Sequence, residues 1–368
     1  MRIRDLSQRT TLAVATLSIG VLVTIATAAA QSPSGIKPEN VTHFEVPAKP
    51  ADRGAYGKFD KVGDQRWTWK TRDGSNVDFV EDRQTDAVLL LKSAAFDYVV
   101  GIDFPALTSY LLNAAGTPIE TSRVPITNVT FDGCDFNALR PLQGVAGLGE
   151  VAKKTKDIAD EFDKELAALK KDPIKIVRGL GGNSFVLDHH HGALAWINYG
   201  RPVGTCQLLN PDPPLPAAEP AFWQELKNHK WVRLADKEGN LIGPEALPSS
   251  LTALPDDPYR TLAWMLRAQH RDGFCRALMK PQPPPFAEFL WADWLRKRPD
   301  LPAAIVGPAT ARQLWQPPTK KPQREAAQAE VLRIALAAAK TQAPADLPGV
   351  RSDKPANFEC PVDPHGDE

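Results

Sequence analysis

Asp188, His189, His190 and His191 stand in a row within SFVLDHHHGALAW, Ser184 to Trp196, which sets three of the chain's seven histidines beside one acid. Phe185-Val186-Leu187 reads as a strand ending in Asp188, and a helix-like run begins just after the imidazoles. Successive helical residues point about 100° apart, so three neighbouring rings do not grip one metal ion. Zinc prefers imidazoles four residues apart or ligands from separate strands, and no metal ligand is assigned here. A strand-to-helix corner instead offers backbone N–H groups and the positive end of a helix dipole, a setting that suits an anion and phosphate above all. Imidazoles there can donate to phosphate oxygens. Asp188 can cap the helix or hold a hydroxyl or a metal-bound water. The dipole lowers a local histidine pKa, which fits a neutral donor or a general base near neutral pH. The plainer alternative has Asp188 as a cap, one histidine packed inside and two solvated.

The corner needs elements to hold it. Upstream, VAKKTKDIADEFDKELAALKK places Val151, Ile158, Phe162, Leu166 and Leu169 on one helical face, stopped by Asp172-Pro173. IKIV then reads as a strand, RGLGGNS as a glycine turn and FVLD as a second strand. After the histidine helix, GTCQLL is a further strand and AFWQELKNH a helix. Two later helices have start signals: Asp257 as cap with Pro258 at the first helical position, and Pro285 in the same part. An Ala-rich helix over about Arg324 to Thr341 precedes a polar tail. Residues 31–57 lack periodicity and read as a flexible leader, whereas 58–136 alternate short β-rich runs such as RWTWK and AVLLLKS with turn signals.

Composition narrows the partners. Acids and bases balance at 44 each, and no basic stripe is evident, so an extended DNA-binding surface is not expected. Arg2, Arg4 and Arg9 precede the apolar run TLAVATLSIGVLVTIATAAA, which has the form of a secretory signal peptide over residues 1–30, cut after Ala28 or Ala30. The chain is therefore expected to be secreted or periplasmic, without stable membrane association once cleaved. Cys134, Cys206, Cys275 and Cys360 then lie in an oxidising compartment; none shows C-x-x-C spacing, and two disulfides with three connectivities remain open.

Four stretches together resemble the ParB-like domain group that carries a nuclease label within the wider ParB/sulfiredoxin fold. They are LRPLQGVAGLGEVAKK (Leu139 to Lys154), FVLDHHHGALAW, DDPYRTLAWMLR and PFAEFLWADWLR, covering about residues 137–298. The resemblance implies a mixed α/β (α+β) unit with a small mixed sheet and helices, here preceded by the β-rich section and followed by a helical extension over 299–368. It implies a nucleotide-phosphate pocket floored by Asp188, His189, His190 and His191. Gln143, Gly147 and Glu150 come from the opening motif, with Glu150 a candidate base by analogy. Asp257, Tyr259 and Arg260 are expected along the same cleft, although capping, packing and ion pairing also explain them. Leu142 replaces a usual Thr, and Leu148-Gly149 a common Met-Arg pair, which removes one phosphate contact. The cysteine-bearing loop of sulfiredoxin and the Gly-Glu-Arg-Arg run of CTP-binding partition proteins are both missing, and no helix-turn-helix is recognisable. Two functions follow as expectations. One is an exported nuclease or phosphoester hydrolase, with no cofactor assigned and a divalent metal admissible. The other is a non-catalytic module that binds a nucleotide, a nucleic-acid fragment or another phosphorylated ligand. A kinase reading requires ATP outside the cytoplasm and is set aside.

Overall fold

The computed structural model describes residues 36–47, 57–71, 74–95, 99–211, 213–268, 286–298, 301, 333–335 and 347. The leader over 1–30, Pro285, Cys275, Cys360 and nearly all of the Ala-rich C-terminal helix lie outside them.

The described strands are β1 (Val41–Val46), β2 (Gly57–Gly63), β3 (Arg66–Lys70), β4 (Asn76–Gln84), β5 (Val88–Lys92), β6 (Val99–Asp103), β7 (Thr108–Leu112), β8 (Pro118–Pro125), β9 (Asn128–Asp135), β10 (Leu139–Pro141), β11 (Ile174–Arg178), β12 (Ser184–Asp188) and β13 (Val203–Leu209). They form one sheet in the order β10-β12-β11-β13-β9-β1-β2-β3-β4-β5-β6-β7-β8. From β1 to β8 each strand pairs antiparallel with the next. β9 returns to the free side of β1 and pairs antiparallel with β13. Beyond β13 the sheet turns mixed: β11 is parallel to β13, β12 antiparallel to β11, and β10 parallel to β12.

Side-chain alternation explains the N-terminal half. In β3 the indoles of Trp67 and Trp69 turn inward between the exposed Arg66 and Lys70, and in β5 Leu89 and Leu91 do the same. Phe44 stacks on Phe59 with centroids 4.4 Å apart, Phe59 stacks on Trp69, and Phe79 meets both edge-on, giving an aromatic row across four strands. β12 behaves differently. Its first four residues are all buried because both faces are covered. One face meets α3 (His190–Asn198), which contributes Ala193, Leu194 and Trp196. The other meets α4 (Glu219–Asn228) through Phe185, Leu187, Phe222 and Leu226.

Three sequence expectations are corrected. The long amphipathic helix is two, α1 (Leu148–Asp160) and α2 (Phe162–Lys171), broken where Glu161 leaves helical geometry at φ −135° and ψ 49°. The break lets Val151 and Ile158 bury beneath α1 while Leu169 of α2 reaches β13 over Gly204, where an added Cβ would come within 2.8 Å of Leu169. Residues 36–47 are also no flexible leader: a 3₁₀ turn at Pro38–Asn40 feeds β1, a central strand with Val41, Phe44 and Val46 buried. Its burial spacing is irregular because a bulge shifts the β1–β9 register, which hides the strand from period-two reading. The aromatic helix α6 (Ala287–Arg296) starts after Phe286, itself in the left-handed region at φ 60°. By contrast α5 (Pro258–Ala268) starts where the Asp257-Pro258 pair places it.

Cys134 of β9 and Cys206 of β13 form a disulfide with Cα atoms 5.8 Å apart, closing a loop across 72 residues. The bridge staples the N-terminal meander to the mixed half of the sheet. Chain entropy for a loop of that size corresponds to about 4 kcal/mol. Cys134→Ala combined with Cys206→Ala is expected to lower unfolding free energy by about 2–4 kcal/mol in a urea titration. An unchanged midpoint would refute that contribution.

Candidate functional site

The corner begins where β12 ends. His189 adopts left-handed backbone geometry, φ 67° and ψ 29°, which is uncommon for a residue other than glycine. It occupies the capping position of α3 without a side-chain capping bond, and Asp188 Oδ1 accepts the N–H of His189 at 2.7 Å. Asp188 is thus not the cap of α3. Its carboxylate bonds to the adjacent residue before the helix begins. The sharp turn sends the three rings in different directions, one toward solvent and two inward.

His189 is the outer ring, about one-third exposed. Its Nε2 lies 3.2 Å from Asp172 Oδ2 and 4.0 Å from Asp188 Oδ2. Lys175 Nζ stands 3.5 Å from Asp172 and 3.9 Å from Asp188. His189 is the main cause that holds the Asp172 carboxyl down at about 2.

His190 and His191 are buried. The Leu142 N–H donates to His190 Nε2 at 3.2 Å, and the Gly147 N–H donates to His191 Nε2 at 3.0 Å. Accepting at Nε2 places the proton of each neutral ring on Nδ1. Burial, reinforced by the neighbouring His191, pushes the His190 pKa down to about 3, so this ring is neutral at physiological pH. His191 Nδ1 faces Glu150 Oε2 at 3.7 Å.

These bonds form part of a wider cap on α1. Its first N–H groups go to side chains from elsewhere: Gly147 to His191, Leu148 to Asp256 Oδ1 at 2.9 Å, and Gly149 to Thr261 Oγ1 at 3.2 Å. Gly147 has no alternative residue here, since a Cβ would sit 2.9 Å from both the N and the Oγ1 of Thr261. Gln143, also buried, donates to the Val145 carbonyl at 2.8 Å and stabilises the same loop from within.

Glu150 is a buried acid of this region. Its Oε2 lies 3.2 Å from Arg260 Nη1, and both side chains are about 95% buried. Lys154 approaches its other oxygen at 3.9 Å; Arg260 also reaches Glu288 at 3.8 Å and stacks over Phe289 at 5.4 Å. Glu150 Oε2 and the Nε and Nη1 groups of Arg260 nevertheless lack an aligned hydrogen bond among the described residues. Asp257 and Tyr259 have other partners. Asp257 Oδ1 accepts the N–H groups of Tyr259 and Arg260 at 3.0 and 3.3 Å, the capping arrangement read from sequence. Its Oδ2 accepts from Arg296 at 2.6 Å. Burial pushes the Asp257 carboxyl up, against the pull of Arg296. The Arg296 guanidinium also covers the Tyr259 ring at 5.2 Å, and burial pushes that phenol up.

The structure therefore groups His191, Gly147, Glu150 and Arg260 together, with His190 beside them, and leaves Asp188 and His189 on the outer side. Asp172, Asp256, Thr261, Glu288 and Arg296 join the region without having been singled out from sequence. Of these, Asp172 reads locally as a helix stop and Asp256 adjoins the Asp257 cap; the others carry no local signal. Among the described residues no cluster of three His, Cys, Asp or Glu side chains is arranged to hold a metal ion, and no helix is long and apolar enough to cross a membrane.

Residues 133–297 match the family described as "Putative ParB-like nuclease", a stretch shorter than half the chain that contains every candidate residue above. Protein Atu1540 from Agrobacterium tumefaciens, known from a crystal structure, is 24% identical, with 60% of this chain and 96% of that one covered and a TM-score of 0.44. No curated protein matches the chain.

The neutral state of His190 has a measurable consequence. An unfolded histidine titrates near 6.5 and the folded one near 3, so between those values the unfolded chain binds the extra proton and acid favours unfolding. Stability is expected to fall as pH drops from about 6.5 toward 3, with a slope approaching 1.4 kcal/mol per pH unit. His190→Gln, which keeps an acceptor but cannot titrate, should flatten that slope in urea titrations. An unchanged slope would exclude His190 as its source.

Proposed function

We propose that residues 133–297 bind phosphate esters and hydrolyse them at the Asp188–His191 corner and the adjoining Glu150–Arg260 pair. The observation that carries this reading is the buried Arg260. A guanidinium held in an apolar interior is costly unless its donors are used. Among the described residues Nε and Nη1 have no aligned acceptor, although Nη1 lies 3.2 Å from Glu150, and such donors suit a phosphate oxygen. Its charge also bears on His190, and so does that of His189, which puts the two ends of the region in one electrostatic neighbourhood. The nuclease description of the matched family agrees with this chemistry. Glu150 holds Arg260 in place; its burial and its ion pair argue against a proton-accepting role exposed to water.

Release of nucleotides from single- and double-stranded DNA and RNA, and of 4-nitrophenol from bis(4-nitrophenyl) phosphate, should be measured with and without magnesium. Wild type is expected to turn over at least one of these. Arg260→Gln should lower kcat/KM by about 100-fold, equivalent to about 2.7 kcal/mol, while Glu150→Gln weakens binding through the loosened guanidinium. Circular dichroism establishes that each variant folds. Absence of turnover by wild type on the whole panel would refute hydrolysis.

A second reading, a non-catalytic phosphate-binding module, is favoured by the two buried rings, whose Nε2 lone pairs are already taken by Leu142 and Gly147. It expects a thermal shift with nucleotides or sugar phosphates, about 2.7 kcal/mol at one hundred times Kd, without turnover.

We also infer that the chain is exported. The Cys134–Cys206 bridge fits an oxidising compartment. The mature protein is expected to begin at Ala29 or Gln31, read by N-terminal sequencing of the extracytoplasmic fraction; an intact Met1 in the cytoplasm would oppose this.

A further inference from the structure

His189 differs from its two neighbours in the nitrogen left available. In His190 and His191, Nε2 accepts a backbone N–H, so neither lone pair is free to take a proton. In His189, Nε2 is itself buried and, without an aligned hydrogen bond among the described residues, faces the carboxylates of Asp172 at 3.2 Å and Asp188 at 4.0 Å. A lone pair opposite two carboxylate oxygens is repelled, so the proton of the neutral ring belongs on Nε2. The Nδ1 lone pair then remains, and no bond to it occurs among the described residues. The ring is partly exposed, on a backbone held in left-handed geometry at the start of α3.

We propose that His189 is the working imidazole of the run and that Asp172, at the end of α2, is its positioning residue. This rests on the hydrolytic reading above. Nδ1 takes a proton from water as the water oxygen bonds to phosphorus and the P–O bond to the alcohol breaks. The imidazolium then returns that proton to the departing alkoxide, so water and a diester give a monoester and an alcohol. Asp172 fixes the ring and balances the charge formed on it, as a carboxylate does for a catalytic histidine in general. The groups facing His189 are Asp172, Asp188 and Lys175, two acids against one ammonium. An anionic ester therefore approaches a slightly negative edge, and magnesium is expected to assist its binding.

The first test needs no activity. In the full mature chain with ring-labelled histidine, long-range proton–nitrogen spectra at alkaline pH should show His189 as the Nε2–H tautomer and both His190 and His191 as Nδ1–H. Asp172→Asn should shift His189 toward a tautomer mixture, and Asp172→Glu should restore it. A wild-type His189 found as the Nδ1–H form would overturn the proposal. The second test uses bis(4-nitrophenyl) phosphate. Asp172→Asn should lower kcat by about 10- to 100-fold, leave KM nearly unchanged and displace the acidic limb of the pH–rate profile, with partial rescue by Asp172→Glu. Turnover with an unaltered profile in Asp172→Asn would overturn the role of this pair alone. Absence of turnover in wild type would overturn the acid–base role and the hydrolytic reading together.

Discussion

Two backbone N–H groups donated to two neutral imidazoles fix the geometry of the whole region. Leu142 and Gly147 lie in the connection between β10 and α1, a buried stretch whose polar backbone needs partners. Adjacent rings on α3 supply them, 48 and 44 residues away in sequence. A side chain that only accepts at the bonded nitrogen and can remain uncharged is required, and neutral histidine meets both conditions where a carboxylate would bring a buried charge. The same ring that accepts the N–H at the start of α1 also stands 3.7 Å from the acid in its first turn, Glu150. Strand, helix start and buried charge are thereby one unit.

That unit concentrates its polarity unevenly. The Glu150–Arg260 pair gains little net stability from attraction, since desolvation of two ions opposes it. An apolar pair of the same size would pack at least as well. The further arginines in this part of the molecule are more fully engaged: Arg296 joins Asp257 and Asp293, and Arg233 joins Asp293. Arg260 differs from them in degree: two of its donors, Nε and Nη1, are unaligned among the described residues, where Arg233 and Arg296 each leave only Nε, and it lies beside an acid and the ring of Phe289. Packing alone does not account for such an arrangement.

Local signals in the sequence identified local structure. The Asp257-Pro258 cap was readable because its acceptor and donors lie within three residues, and the apolar runs IKIV, FVLD and GTCQLL because burial on a sheet leaves a direct compositional trace. What escaped depends on contacts between distant segments. The pairing of Cys134 with Cys206 follows from β9 lying against β13, which no spacing rule encodes. The break at Glu161 falls inside a run whose apolar period continues across it, so the pattern alone reads as one helix. Asp172 was read as a helix stop, which it is, while its approach to His189 depends on how α2 returns toward β12. The direction of each imidazole was beyond reach for a similar reason, since one left-handed residue between strand and helix decides it.

The N-terminal meander also bears on the corner, through β11. Arg178 at one end of that strand donates to the Phe104 and Pro105 carbonyls at 2.9 and 2.6 Å, beyond the end of β6, and burial brings its pKa down to about 10. Lys175, three residues earlier on β11, is the register partner of Asp188 and stands close to both acids that face His189. A bulge between Lys175 and Ile176 lies between these two anchor points. The placement of Lys175 therefore answers to Arg178 as well as to the β11–β12 ladder. Loss of the Arg178 bonds would free the strand to slide at its bulge, and a slip of one residue would carry Lys175 to the opposite face. The long β-rich section thus reaches the Asp188–His189 corner through β11, within one sheet of thirteen described strands and with a covalent staple at the seam.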